Sequence, residues 1–278
     1  MSLRDDDLDR VADLIRESAA AELLSRFRRL QASDIREKRP GDVVTVADIE
    51  SERRLAAGLA KILRGAPVVG EEAVAAEAGL LAHIAEAEAA WIVDPLDGTA
   101  NFARGDERFA MIVALVERGE TVAGWIYEPV SGRIAVATRG GGALLDGAKV
   151  ELPSSGPLQQ AHGFVGWKIK REVEQSMRGG AKRQFGGLTS LNCAGKEYLE
   201  ILAGRAHFSL YRRTRAWDHA AGTLMLREAG GLANRHDGKP YHPTQPDSAG
   251  ILTAPDERRW VELYELLLGG PAPLLDAQ

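Results

Sequence analysis

The chain has 278 residues, 45% hydrophobic and 27% charged, with a net charge of −5. That is an ordinary composition for a globular protein with a sizeable core, and its acidic balance argues against a nucleic-acid binder, which shows a basic face. The single cysteine, Cys193, excludes an internal disulfide and a thiolate metal site and reads as a small buried hydrophobe.

The first segment steps by three or four through Leu8, Val11, Ile15, Ala19, Leu23, Phe27 and Leu30 and predicts one long amphipathic helix. A second helix is predicted over Asp48 to Leu63, with Ile49, Leu55, Leu59 and Leu63 partly on one face. Short strands follow at Pro67 to Val69 and Trp91 to Val93, then an antiparallel run at Ala110–Val116, Val122–Tyr127 and Arg133–Ala137. Asp146-Gly147 is a hairpin signal between Ala143–Leu145 and Lys149–Leu152. The Pro153–Pro157 stretch is the best boundary between two lobes, an N-terminal α+β lobe (1–153) and a C-terminal α/β lobe (154–278). Strands and helices then alternate: strands at Ala161–Val165, Ala206–Leu210 and Gly250–Leu252, and helices at Leu191–Leu202, Trp217–Ala229 and Arg258–Leu268. Nothing approaches the ~18 consecutive apolar residues of a membrane span. The opening Met-Ser-Leu-Arg-Asp-Asp-Asp is too acidic for a signal peptide, so the expected location is the cytoplasm.

The most informative stretch is Trp91-Ile-Val-Asp94-Pro-Leu-Asp97-Gly98-Thr99. An apolar, β-favouring run ends where Pro95 biases Asp94 away from the helical region. Asp94, the Leu96 carbonyl and Asp97 can then converge on a hard cation, and oxygen-only ligands suit Mg²⁺. The alternative is an Asp-Pro turn followed by a helix cap. Three further acidic ends are Asp48 after Asp42-Val-Val-Thr-Val-Ala, Glu71 after Val68-Val-Gly, and Asp218 in Ala216-Trp-Asp-His-Ala-Ala-Gly. Each alone reads as a cap or a solvated acid; four such ends in one chain point to a cation site. The six histidines show no zinc-ligand spacing, and neither a P-loop nor a G-x-S-x-G turn is present.

Asp94-Pro-Leu-Asp-Gly-Thr-Ala-Asn-Phe102 and Trp217-Asp-His-Ala-Ala-Gly-Thr-Leu-Met-Leu-Arg-Glu-Ala-Gly-Gly231 resemble the paired signatures of the inositol monophosphatase family. The likeness runs from about Asp42 to Gly231 and includes Arg139-Gly-Gly-Gly-Ala143. It implies a layered α-β-α-β-α sandwich of the inositol monophosphatase and fructose bisphosphatase type. It also implies a lithium-sensitive homodimer, two or three Mg²⁺ ions, and a small-molecule phosphate ester as substrate. Carried over residue by residue, Glu71, Asp94 and the Leu96 carbonyl would hold a first metal, and Asp94, Asp97 and Asp218 a second. Glu71 would also reach a third ion. Asp48 and Thr99 match the pair that orients the attacking water, and the Gly98 and Thr99 amides match the phosphate grip.

The substrate end departs from the family pattern. Inositol-specific members resemble one another in carrying a Glu six residues before the signature Trp; here that position is Tyr211, followed by Arg212, Arg213 and Arg215. Guanidinium groups grip a second anionic group in forked pairs, though the same arginines also read as solvated or intersubunit charges. Lys168, Lys170 and Arg171 form another candidate specificity segment. The expectation is therefore a phosphatase for inositol phosphate or a related sugar or polyol phosphate. The alternatives are an enzyme for fructose 1,6-bisphosphate or 3′-phosphoadenosine 5′-phosphate, and a regulatory binding protein on the same scaffold.

Overall fold

A computed structural model describes residues 3–176, 185–245 and 249–275. The first part of the chain runs α1 (Asp5–Ser18), β1 (Ile35–Arg39), β2 (Asp42–Thr45), α2 (Val46–Ile62), β3 (Val68–Gly70), α3 (Glu71–Ala76) and α4 (Ala82–Glu86). It continues through β4 (Ala89–Asp97), α5 (Thr99–Ala103), β5 (Ala110–Glu117), β6 (Glu120–Glu128), β7 (Arg133–Thr138), β8 (Gly142–Leu145) and β9 (Ala148–Val150). After a loop come β10 (His162–Val165), α6 (Trp167–Ser176), β11 (Gly187–Thr189), α7 (Ala194–Leu202) and β12 (Phe208–Tyr211). The last elements are α8 (Ala216–Glu228), β13 (Leu232–Arg235), β14 (Ile251–Ala254) and α9 (Glu257–Leu267).

Strands β3 to β9 form a seven-stranded sheet in sequence order, parallel only between β3 and β4. A five-stranded mixed sheet has the order β11-β10-β12-β14-β13. Strand β4, second in the sheet between β3 and β5, is buried along nearly its whole length because it sends alternate residues to opposite cores. Trp91 and Val93 pack with Val11, Ile15, Leu55 and Leu59 of α1 and α2. Ile92 faces the other way, into the core that holds Tyr198, Leu199, Ala221 and Met225 of α7 and α8. Helix α8 lies unusually close to the sheet: a Cβ at Gly124 of β6 would stand 2.8 Å from the Ala221 Cα. Beyond α8, Leu210 and Leu252 of the second sheet pack with Ile169 and Val173 of α6 and Trp260 and Leu263 of α9. The result is the five-layer α-β-α-β-α sandwich.

Some local expectations need correction. The predicted long first helix is α-helical only to Ser18; Ala19–Leu24 widens into a π-helical segment, and Arg28 with φ +60° turns the chain away. The buried stripe itself, Val11, Ile15, Ala19 and Leu23, is as predicted. Ile49 is exposed and not part of the α2 stripe, whereas Leu55, Leu59 and Leu63 are buried. Helix α7 starts at Ala194 and not at Leu191, because Ser190–Cys193 forms a loop beside β4. The Asp146-Gly147 hairpin forms as expected, with both residues at positive φ.

Candidate metal and phosphate site

Strand β4 loses register with β5 between Asp94 and Asp97. This is the local consequence of Pro95, which has no N–H to give to a ladder. The irregularity aims two carboxylates out of the strand end. Asp94 is buried and accepts the Leu96 N–H on Oδ1 at 3.0 Å. Asp97 is turned toward the loop before α7, its Oδ2 accepting the Gly195 N–H at 2.6 Å and the Cys193 thiol at 3.2 Å. Gly98 follows with φ +88°; a Cβ there would lie 2.7 Å from the Arg108 carbonyl oxygen, so only glycine fits.

Two other elements bring acids to the same point. Glu71 is the first residue of α3 at the end of β3, and Asp218 lies in the first turn of α8. One carboxylate oxygen from each of Glu71, Asp94 and Asp218 lies within 4.8 Å of the others. Asp97 stands outside this trio but close enough to act on Asp94 and Asp218 electrostatically. Burial, reinforced by the neighbouring carboxylates, pushes Asp94 and Asp218 well above the usual carboxylate range, and burial raises Asp97 too. Such a cluster is unstable unless protons or cations neutralise it. Its donors are all oxygen, which fits a hard divalent cation.

Sequence reasoning missed one cation at this site. Lys38, on the β1–β2 hairpin, places Nζ 3.0 Å from Glu71 and 2.9 Å from Glu72. Burial opposes its charge, yet the two glutamates outweigh burial and hold the ammonium above its ordinary pKa. The charged, non-alternating string Ile35-Arg-Glu-Lys-Arg39 gave no strand signal, and the contact spans more than thirty residues of sequence. Arg215 adds a second cation, 3.6 Å from Glu71 and stacked over the Trp217 ring.

Asp48 and Thr99 meet across the site, the Thr99 hydroxyl donating to Asp48 Oδ1 at 2.8 Å, with the Leu96 carbonyl also 2.9 Å away. Asp48 is simultaneously the N3 residue of a capping box on α2, accepting the Thr45 N–H and hydroxyl. The helix-cap reading and the functional reading therefore describe one residue. Burial raises its carboxyl to about 7 despite these hydrogen bonds.

The expected substrate contacts are spread differently. The Tyr211 hydroxyl donates to Glu197 at 2.8 Å and its ring packs on His219. Arg212 is exposed and pairs with Glu172 of α6, joining the loop after β12 to the segment that carries Lys168, Lys170 and Arg171. Arg213 is exposed, and its carbonyl faces His219 Nε2 at 2.9 Å. His219 itself is a buried core residue, bonded to the Tyr198 hydroxyl. Cys193 is buried as expected, but it also donates to Asp97. No helix among the described residues is long and apolar enough to cross a membrane.

Carboxylates converging from a strand end and two helix starts, beside a hydrogen-bonded Thr–Asp pair, make an all-oxygen candidate cation site. The chain belongs to the inositol monophosphatase family, whose model matches residues 5–268, and is a phosphatase. It is 33% identical over 256 residues to an inositol-1-monophosphatase of Rhizobium meliloti, covering 90% of this chain and 91% of that protein. It is 29% identical over 208 residues to a fructose-1,6-bisphosphatase/inositol-1-monophosphatase of Thermotoga maritima, covering 73% of this chain and 76% of that protein. The Nus factor SuhB of Pseudomonas aeruginosa is 29% identical over 228 residues, covering 79% and 82% of the two chains. Among solved structures, a Thermotoga maritima IMPase superposes with a TM-score of 0.80 at 24% identity, covering 95% of this chain and 97% of that one.

Proposed function

We propose that the chain is a Mg²⁺-dependent phosphomonoester hydrolase that acts on inositol phosphate or a related sugar or polyol phosphate. The observation that carries this reading is the convergence of Glu71, Asp94 and Asp218 within 4.8 Å beside the Thr99–Asp48 hydrogen bond. Glu71, Asp94 and the Leu96 carbonyl would hold one ion, Asp94, Asp97 and Asp218 a second, and Glu71 a third. When bound, the ions supply charge neutralisation to the phosphate dianion and to the leaving oxygen.

The chain's own groups do the rest. The Thr99 oxygen accepts the proton of the attacking water while its own proton passes to Asp48 along the existing 2.8 Å hydrogen bond. A buried carboxyl with a pKa near 7 is matched to receive that proton at neutral pH. The Gly98 and Thr99 amides, turned by the left-handed Gly98, grip the phosphate oxygens. Phosphoryl transfer needs little covalent help and much positioning, which this preset frame provides.

A second reading, a bisphosphate substrate, is favoured by Arg215, whose guanidinium lies 3.6 Å from Glu71 of the acid cluster. A purely regulatory role is disfavoured by the acids themselves, since a scaffold freed from catalysis gains nothing from gathering Glu71, Asp94 and Asp218 at one point. The test is phosphate release with Mg²⁺ from inositol 1-phosphate, fructose 1,6-bisphosphate, 3′-phosphoadenosine 5′-phosphate and histidinol phosphate. Highest kcat/KM on inositol 1-phosphate supports the first reading. Preference for a bisphosphate that falls on Arg215→Ala replaces it with the second.

A further inference from the structure

We propose that Tyr211 and Glu197 form a positioning pair that fixes the carboxylate of Asp97, so that Tyr211 serves the cation side of the site and not the substrate. This rests on the reading above only in taking Asp97 as a cation ligand.

The path can be followed bond by bond. Tyr211 ends β12 with its ring 4.6 Å from His219 and 5.9 Å from Tyr198, and its hydroxyl donates to Glu197 Oε2 at 2.8 Å. Glu197 is 4% exposed, so a carboxylate there needs its hydrogen bonds. Its other oxygen accepts the Leu191 N–H at 2.8 Å and the Ser190 hydroxyl at 3.3 Å. These partners are neutral donors, and two of the three belong to the loop that leads into α7. The same loop is held from the opposite side by Asn101 Nδ2, which donates to the Leu191 carbonyl at 2.9 Å. Asn192 sits at φ +52° between these anchors. The loop then delivers the Gly195 N–H to Asp97 Oδ2 at 2.6 Å.

There is no slack at that last contact. A Cβ on Gly195 would lie 2.9 Å from the Ala110 Cβ and 3.2 Å from Asp97 Oδ2. A shift of the loop therefore reaches Asp97 directly. The Tyr211 hydroxyl is engaged by Glu197, whose other oxygen is bonded by Leu191 and Ser190 of the loop. Groups that orient metal ligands through such hydrogen bonds are felt in metal affinity.

The experiment is a calorimetric titration of EDTA-stripped protein with Mg²⁺ alone, comparing wild type, Tyr211→Phe, Glu197→Gln and the double variant. Tyr211→Phe keeps the ring packing and removes only the hydroxyl. It is expected to weaken Mg²⁺ binding by about threefold to tenfold, one step further from the ion than the ligand partners whose loss costs ~10–100-fold. Glu197→Gln should act in the same direction, and the double variant should be no worse than the weaker single, because both break one path. At saturating Mg²⁺, KM for inositol 1-phosphate should stay within about twofold of wild type, and the metal-free melting temperature reports on the fold of each variant. Unchanged Mg²⁺ affinity overturns the proposal; with a raised KM it would make Tyr211 a substrate contact. Wild type that binds Mg²⁺ but hydrolyses none of the esters would defeat the phosphatase reading alone, since the titration still decides the positioning role.

Discussion

Replacing Asp94 by Asn should stabilise the metal-free protein while destroying its response to metal. Asp94 is 2% exposed, and its carboxylate has oxygens of Glu71 and Asp218 within 4.8 Å. At an effective dielectric constant of about 20, two unit charges at that distance repel by roughly 3–4 kcal/mol. Two such pairs vanish in the variant. Partial protonation of the cluster already relieves some of this in the wild type, because burial and the neighbouring acids raise the Asp94 pKa. A net gain of about 2–4 kcal/mol at pH 8 follows, or roughly 5–10 °C in Tm for a chain of this size. Asn retains an oxygen for the Leu96 N–H, so the turn survives. The assay is thermal melting in EDTA and in excess Mg²⁺. Wild type should gain about 2.7 kcal/mol at 100 times its Kd, and the variant little. A variant that melts below wild type in EDTA, or one that keeps the full Mg²⁺ shift, would refute the reasoning.

Two other outcomes are expected. Thr99→Ala removes the hydroxyl between water and Asp48 and should lower kcat by about 10²–10⁴ with Mg²⁺ affinity retained, while Thr99→Ser restores most of the rate; a full-rate Ala variant would remove Thr99 from the mechanism. In the metal-free protein, burial raises Asp48 and Glu197 each to about 7, so both keep a proton that the unfolded chain has lost. Their contribution is fully present below the unfolded pKa values near 4 and is lost as pH rises through 7. Urea unfolding in EDTA should therefore show stability falling by about 1–2 kcal/mol between pH 6.5 and 8.5; a rise over that window would contradict the burial argument. His219 and His236, lowered to about 4 by burial, pull the other way at the acid end of this window, because their unfolded imidazoles still titrate near 6.5, and they bring the net fall to the lower figure of about 1 kcal/mol.

What could be read from the sequence was whatever depends on local chemistry. Apolar runs closed by Pro or Gly gave β4 and its turn, Asp-Gly gave the β8–β9 hairpin, and alanine-rich periodicity gave α8 with Asp218 in its first turn. Periodicity alone could not separate an α-helix from the π-helical turn at Ala19–Leu24, since both bury the same stripe. Strand β13, Leu232-Ala-Asn-Arg235, is too short and mixed to register by composition and is formed by pairing with β14. The acids of the site were legible as four strand or helix ends, but what holds them was not. The partners of Glu71 and Asp97, Lys38 and Gly195, are distant in sequence, and nothing about a lysine in a charged hairpin or a glycine in a helix announces them. Tyr211 stands six residues before Trp217, where the family resemblance puts a substrate contact; only the packing of β12 against α7 shows that its hydroxyl is directed to Glu197.

The central claim is that buried carboxylates and a bound cation make this chain a phosphomonoesterase. The most direct measurement is the initial rate of phosphate release from inositol 1-phosphate by EDTA-stripped wild type and Asp94→Asn, each with and without Mg²⁺. The account predicts turnover only in wild type with Mg²⁺. Equal rates with and without Mg²⁺, or an Asp94→Asn variant as fast as wild type, would contradict it.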